Sequence, residues 1–415
     1  MKILMIAPQP FMAERGVPFA VYHHIKALGL MGFEVDLVTY HVGKAVDLPG
    51  LRVFRIPRLP FMREVKVGPS FAKIPLGLLV FLLAFWRLSC CRYKYIHTHE
   101  EAGLMGVLLG AIFGQCHLYY MHSNLSQQIE SSEFTHNTCL IGSACAVQRF
   151  IVRHANSIIT ICPDIEKTAR EMSRRTPIYL VENCAVDENL PPPDPNEVET
   201  RREELQLGAG PILVYTGTLE CYQGIDLLLQ SISAVYKIYP TVRYLLVGGQ
   251  PEQIRHYQQI AEKLHVEESV KFVGKRPVTE MPLYTALADI LLSPRSKGTN
   301  TPLKLYTYLR SGKPILATNT FSHTQVLTDE IAMLVPPTAE GLAQGAIQLL
   351  KDPRLATNIG THGAHFAEEH YSWSVFLQKS LQVQKEFTGQ EITVEALEAG
   401  SSLCLQNLEG KTCAA

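Results

Sequence analysis

Three cations stand around one hydroxyl-rich loop. Arg295 and Lys297 lie inside the run SPRSKGTN, with Gly298, Thr299 and Asn300 completing it, and Lys304 follows after Thr301, Pro302 and Leu303. Guanidinium and ammonium groups beside Ser, Thr and Asn side chains suit a diphosphate with hydroxyls attached. The loop belongs to a strand–loop–helix–strand unit from Asp289 to Thr318. Ile290 to Leu292 is apolar enough for a short buried strand. Thr301 reads as an N-cap and Pro302 as the first residue of a helix that runs to about Ser311. Gly312 can close that helix, Pro314 blocks its continuation, and Ile315 to Ala317 is the next strand. A helix start gathers unpaired N–H groups and the positive end of the macrodipole, which attracts phosphate. The same residues also read as a capped surface helix with solvated cations, and on this stretch alone both readings stand.

A second set of reactive types lies in the first half. Tyr95 to His99 (YIHTH) is a strand that runs into Glu100 and Glu101, and His117 to His122 (HLYYMH) is the next. His99, Glu100 and His122 therefore stand at the carboxyl ends of strands, where parallel sheets bind ligands. His97 is expected in the core and His99 at the site. HTHEE has the ligand types for a metal, but HExxH is absent and no third ligand is suitably spaced, so no metal is expected. Ahead of these, Lys2 to Ala7 is a strand leading into a loop with Arg15 and Gly16. Gly16 would let a backbone approach a phosphate or simply make a turn.

These residues need a scaffold. A helix from about Pro18 to Met31 and a strand over FEVDLVTY (33–40) continue the first strand, which predicts a parallel sheet of Rossmann type. GxGxxG is absent, so a dinucleotide fingerprint is not supported. A helix over about 144–155, a strand at Ser157 to Cys162, a helix opened by Asp164 and a strand at Ile178 to Glu182 follow. Pro191, Pro192, Pro193 and Pro195 then read as an exposed linker. The pattern restarts with a strand at Ile212 to Thr216, a loop from Gly217 through Thr218 and Gln223 to Gly224, and a helix from Ile225. Val242 to Val247 ends in Gly248 and Gly249. The expected fold class is therefore α/β, with two doubly wound parallel-sheet domains facing a central crevice. The expected boundaries are a first domain at 1–188, a linker at 189–210, a second domain at 211–370, a helix at 371–388 returning to the first domain, and a weakly ordered tail at 389–415.

The chain has 415 residues, enough for two domains, and its formal net charge of −1 gives no bias toward nucleic acid. Its ten cysteines are scattered without CxxC or metal-ligand spacing, which suits free thiols in a reducing cytosol. MKILMIAPQP is too short in its apolar part for a signal peptide and reads as the first strand. Ile74 to Trp86 is almost wholly apolar and, at thirteen residues, rises about 20 Å, short of a membrane span. It reads as a buried helix or as a face that dips into a membrane surface. The buried helix is the first reading, and Arg63, Lys66, Lys73, Arg87, Arg92 and Lys94 nearby support the second.

With both halves placed, the chain resembles the family-4 glycosyltransferases of the GT-B fold over about residues 1–387. The ordered motifs are the Gly16 loop, HTHEEAG, His122 after a strand, RHANSIITICPDI (153–165) and YLVENCAVD (179–187). The second half adds YTGTLECYQGIDLLL (215–229), LLVGG (245–249), KFVGKRP (271–277) and PLKLYTYLRSGKPILAT (302–318). The resemblance implies a retaining sugar transfer without a required metal. The donor would be a nucleotide sugar, a UDP- or GDP-sugar, held by the second domain through Gly217, Thr218, Gln223, Gly249, Arg295, Lys297, Gly298, Thr299, Asn300, Thr301, Pro302, Leu303 and Thr307. The acceptor would be lipid-linked or a saccharide, held by the first domain on Arg15, His99 and Glu100 at the cytosolic membrane face. Gly16 would approach the diphosphate and His122 the donor sugar, with Lys304 the best-placed cation. The sequence departs from the family where Arg and Lys are usual, at Thr218 and Gln223, and where two glutamates are usual, at Thr299 and Thr307. These four positions motivate an alternative, a catalytically degenerate homologue acting as a binding or partner subunit.

Overall fold

The computed structural model describes residues 1–12, 16–58, 65, 70, 73–125, 137–185 and 190–392. Arg15, Arg63, Lys66 and the tail from 393 onward lie outside the described residues. The chain divides into two units, Met1–Glu182 with the chain from Ser374, and Asn183–Trp373.

The first unit is built on a seven-stranded sheet in the order β3-β2-β1-β4-β5-β6-β7, every pair parallel. Its strands are β1 (Lys2–Ala7), β2 (Glu34–Thr39), β3 (Leu51–Arg55), β4 (Ile96–His99), β5 (His117–Met121), β6 (Ser157–Thr160) and β7 (Ile178–Leu180). Its helices are α1 (Gly16–Leu30), α2 (Lys73–Cys90), α3 (Gly103–Phe113), α4 (Thr138–His154) and α5 (Pro163–Met172). Ile3, Leu4, Met5, Ile6 and Ala7 of β1 are wholly buried, as a parallel sheet covered on both faces requires. The chain winds from β1 outward to β3, then crosses to β4 and winds the other way. The switch point thus falls between the carboxyl ends of β1 and β4.

One buried carboxylate ties this unit together. Asp36 on β2 accepts from the Tyr93 hydroxyl at 2.6 Å and pairs with Arg87 at 2.8 Å, Arg52 at 2.9 Å and Lys2 at 3.1 Å. Burial would raise its pKa, but Tyr93, Arg87 and Lys2 outweigh that and hold it below the usual aspartate value. Arg87 anchors α2, which is longer than the apolar run Ile74–Trp86 suggests. Leu76, Val80, Ala84 and Leu88 pack inward, while Ile74, Leu78, Leu82 and Trp86 are exposed on the opposite stripe.

The second unit repeats the winding with six strands in the order β10-β9-β8-β11-β12-β13, again all parallel. They are β8 (Ile212–Thr216), β9 (Arg243–Val247), β10 (Val270–Gly274), β11 (Ile290–Ser293), β12 (Ile315–Thr318) and β13 (Met333–Val335). Its helices are α6 (Pro195–Glu204), α7 (Ile225–Tyr236), α8 (Pro251–Lys263), α9 (Met281–Ala286), α10 (Lys304–Arg310), α11 (Phe321–Thr324), α12 (Ala339–Lys351) and α13 (Pro353–Tyr371). The stretch read as an exposed linker contains α6. Asp194 caps it, and its Arg201 bonds Glu280 at 3.1 Å and the Tyr284 hydroxyl at 2.6 Å. Prolines here begin a helix rather than prevent one. The last described helix, α14 (Trp373–Thr388), packs within the first unit. The Tyr95 hydroxyl donates to Gln384 Oε1 at 2.6 Å, and Lys379 pairs with Glu182 at 2.6 Å.

Candidate functional site

In the second unit the switch point lies between the carboxyl ends of β8 and β11. Gly217 follows β8 with φ +142°, and Gly248 follows β9 with φ +124°. A Cβ on Gly248 would stand 1.9 Å from the Gly217 carbonyl, so these two turns cross at a distance only glycine permits. Gly249 packs against Leu219, and the Thr218 carbonyl accepts the Tyr215 hydroxyl at 2.6 Å. Gln223 sits in a short turn with its Oε1 buried and without a hydrogen-bond partner.

Lys304 points into this turn region. Its Nζ is sealed from solvent, lies 3.7 Å from the centre of the Tyr215 ring and has no hydrogen-bond partner among the described residues. A Cβ on Gly217 would lie 3.7 Å from it. Burial first, and the Arg295 charge second, hold the Lys304 pKa well below that of an ordinary lysine. Arg295 is itself fixed. Its guanidinium donates to the Lys297 carbonyl at 2.8 Å and the Asn300 carbonyl at 3.1 Å, and lies 5.2 Å from the Tyr222 ring centre. Beneath it, His323 Nδ1 donates to the Thr318 carbonyl at 2.7 Å, so its Nε2 accepts from the Ser293 hydroxyl at 2.8 Å. The Thr318 hydroxyl in turn donates to the Arg295 carbonyl.

The local helix differs from expectation. Helix α10 starts at Lys304, Leu303 precedes it without a side-chain cap, and Thr301 and Pro302 lie outside it. Thr301 Oγ1 is buried and unpartnered instead of capping. The helix is set from its far side by Tyr308, whose hydroxyl accepts from Thr216 N at 2.8 Å and meets Thr216 Oγ1 at 3.0 Å. Lys297 contributes its carbonyl, its side chain being exposed; Gly298 packs under the Arg295 guanidinium. The Thr299 carbonyl accepts from Gln325, and Thr307 is buried. The structure thus sets Lys304 against Gly217, and Gly298 against Arg295, with Arg295 the charge that acts on Lys304. Sequence reasoning missed Tyr215, Tyr222, Tyr308 and His323, although the tyrosines flank the glycine loop and recur at i and i+2 around Thr307.

In the first unit, Gly16 opens α1 and is exposed. His99 Nδ1 and His122 Nε2 are hydrogen-bonded at 2.9 Å, and both rings are buried. His97 lies in the core, as expected, and stacks on His99 at 4.8 Å, because residues two apart on a strand share a face. Thr98 faces the other way and bonds His117 at 2.6 Å. His24 from α1 joins at 4.8 Å from His97, making a cluster of four buried imidazoles. Burial pushes His24 and His122 down to about 3, and His97 and His99 well below the usual value, with neighbouring imidazoles adding to the effect on His97, His99 and His122. All four are neutral. Among the described residues no three His, Cys, Asp or Glu side chains form a metal-holding group.

Glu100 sits beside them with φ +53°, an uncommon backbone for a residue with a Cβ. Its Oε2 accepts from the Ser123 hydroxyl at 2.7 Å. Burial first and the Glu101 charge second raise its pKa to about 7, so this carboxyl exchanges its proton near neutrality.

Comparison with known proteins bears on the family and the fold. Residues 197–366 match the family described as glycosyl transferases group 1. The GDP-mannose-dependent alpha-(1-6)-phosphatidylinositol monomannoside mannosyltransferase of Mycolicibacterium smegmatis is 28% identical over 202 residues, 45% of this chain and 53% of that protein. The matched region therefore spans about half the length of that relative. The D-inositol 3-phosphate glycosyltransferase of Corynebacterium urealyticum is 25% identical across 86% of this chain and 87% of its own. Among solved structures, sucrose-phosphate synthase from Thermosynechococcus elongatus superposes with a TM-score of 0.75 at 20% identity, covering 94% of this chain and 99% of that one. Anabaena HepE in complex with UDP and glucose gives 0.71 at 16% identity, covering 94% and 100%. These two likenesses show the fold.

Proposed function

We propose that this chain, which has the GT-B fold and over residues 197–366 matches the group 1 glycosyl transferases, moves a hexose from a nucleotide diphosphate sugar to a hydroxyl of a lipid-linked or saccharide acceptor. One observation carries the donor assignment. Lys304 is a buried, unpaired amine beside a second fixed cation, and the charge acting on it is that of Arg295. A buried, unpaired amine held near a guanidinium without an anion is a costly arrangement that a diphosphate would relieve. Arg295 and Lys304 then stand in for the charges absent at Thr218 and Gln223, approaching the diphosphate from the opposite end of the turn. Chemically, the acceptor oxygen forms a bond to the anomeric carbon as the bond from that carbon to the diphosphate oxygen breaks. The hydroxyl proton passes to the departing diphosphate, whose charge Lys304 and Arg295 stabilise. Retention at the anomeric carbon is the outcome that the family resemblance supports.

Glu100 and His122 are the groups of the first unit proposed for the acceptor side and the transferred sugar; His99, expected on the acceptor side, is buried behind them and bonds His122 instead. The exposed stripe Ile74, Leu78, Leu82 and Trp86 of α2, with Leu108 and Ile112 of the adjacent α3, supports peripheral contact with a cytosolic membrane face. The eight described cysteines are all free, in keeping with a reducing compartment.

The test is a calorimetric screen of the protein against UDP, GDP, ADP and their common sugars, followed by product analysis with the donor that binds. Binding of one nucleotide sugar, weakened in Lys304→Met, supports the proposal and names the donor. Absence of binding to all of them supports instead a partner subunit that keeps the fold without the chemistry, the reading favoured by Thr299 and Thr307 in place of acids.

A further inference from the structure

We infer that His99 is a positioning residue that holds His122 in the Nδ1–H tautomer, so that His122 serves as a neutral hydrogen-bond donor. The argument runs from proton counting. The 2.9 Å contact joins His99 Nδ1 to His122 Nε2, and one of the two must carry the hydrogen. On its far side, His99 Nε2 is buried without a hydrogen-bond partner. It faces a region in which His97 and His24 likewise have both ring nitrogens buried and unpartnered.

If His122 donated, His99 would carry its single proton on Nε2, and a buried N–H would be left unpaired. If His99 donates from Nδ1, only a lone pair is left without a partner. Orphaned buried N–H groups are rarer and costlier than under-used acceptors. His99 is therefore the donor and His122 Nε2 the acceptor. A neutral His122 then has its proton on Nδ1, the reverse of the Nε2–H form that a free imidazole side chain prefers in water. Tyr120, stacked on His122 at 4.3 Å with an interplanar angle of 23°, fixes the ring plane. The four clustered imidazoles also disfavour a second proton anywhere in the group, because each would face the others without water.

His122 so held cannot abstract a proton through Nε2, which is occupied. The hydrogen on Nδ1 suits an oxygen acceptor, the chemistry that a sugar hydroxyl or a phosphate oxygen shares. This consequence rests on the transferase reading; the tautomer does not.

Long-range ¹H–¹⁵N correlation spectra of the uniformly labelled full chain test the inference without any donor. The His122 ring is assigned by the signal lost in His122→Gln. The expected result is a protonated Nδ1 and an unprotonated Nε2 on His122, unchanged between pH 6 and 8. In His99→Leu the His122 proton moves to Nε2, and in His99→Gln, whose side-chain amide donates, it returns to Nδ1. A protonated Nε2 on His122 in the parent protein overturns the inference, as does a tautomer unmoved by His99→Leu. If His99→Leu does not fold, the parent spectrum decides alone. Turnover adds a second readout: kcat falls about tenfold in His99→Leu and recovers in His99→Gln, the loss of roughly one hydrogen bond. Correct tautomers with unaltered turnover would leave His99 in its positioning role and refute instead the placing of His122 at the transferred sugar.

Discussion

Replacing Lys304 by methionine should separate stability from function. Methionine keeps the unbranched stem of the side chain and removes the amine, which in the parent protein is buried without a partner over the Tyr215 ring. An unsatisfied buried polar group costs about 1–3 kcal/mol, and the contact with the tyrosine face returns about 0.5–2 kcal/mol when the lysine is charged. The donor-free variant should therefore be more stable by about 1 kcal/mol, or roughly 2–4 °C in melting temperature for a domain of this size. The donor tells the opposite story. Losing a charge-assisted hydrogen bond to a phosphate oxygen removes about 1.5–3 kcal/mol, a weakening of about 10- to 150-fold. Because burial and Arg295 depress the Lys304 pKa, an arriving diphosphate should also restore its charge, drawing up to about one proton from solution. Calorimetry in buffers of differing ionisation heat reads that proton, and scanning calorimetry reads the stability. A variant that melts lower than the parent and binds the donor equally well would refute the reasoning, since the amine would then be structural.

Glu100→Gln should stabilise the protein at pH 8 and leave it unchanged near pH 4.5. The folded-state pKa of about 7 lies above the ordinary 4.5, so the parent loses stability as pH rises between those values; urea midpoints across that range check the sign. Asp36→Asn should cost about 3 kcal/mol at pH 7 by leaving Arg87 and Lys2 unpaired. Since the Asp36 pKa is lowered on folding, the difference should shrink as pH falls below the ordinary aspartate value of 3.8, again by denaturant titration. Leu78→Glu with Leu82→Glu should abolish flotation with anionic vesicles while leaving the melting temperature within about 1 °C, since exposed positions carry little packing energy.

Much of this was legible before any coordinates. The strands at Lys2–Ala7, Ile212–Thr216 and Ile290–Ser293 are short apolar runs closed by proline or glycine, and such runs have few other homes than a parallel sheet. Lys304 could be singled out by type and position, but not its burial, which depends on Tyr215 standing across the pocket floor. The short strands β3 and β13 were missed because LRVFR and MLV are too brief and too mixed for periodicity to register. The start of α10 was misplaced by two residues because Thr301 and Pro302 have the chemistry of a helix start, while tertiary contacts through Tyr308 set the actual one. The core place of His97, opposite Thr98, was legible from strand alternation.

The route of the chain has a consequence for its birth on the ribosome. The first unit is left at Glu182 and completed only from Ser374, when α14 supplies Gln384 to Tyr95 and Lys379 to Glu182. At about 5–20 residues per second, synthesis of the intervening stretch takes roughly 10–40 s. Through that interval the nascent first unit keeps the apolar seat of Phe376 and Val383 uncovered, while the second unit can finish its own core. The domain that begins first is the one that closes last, and a truncation ahead of residue 374 would strand it in the unfinished state.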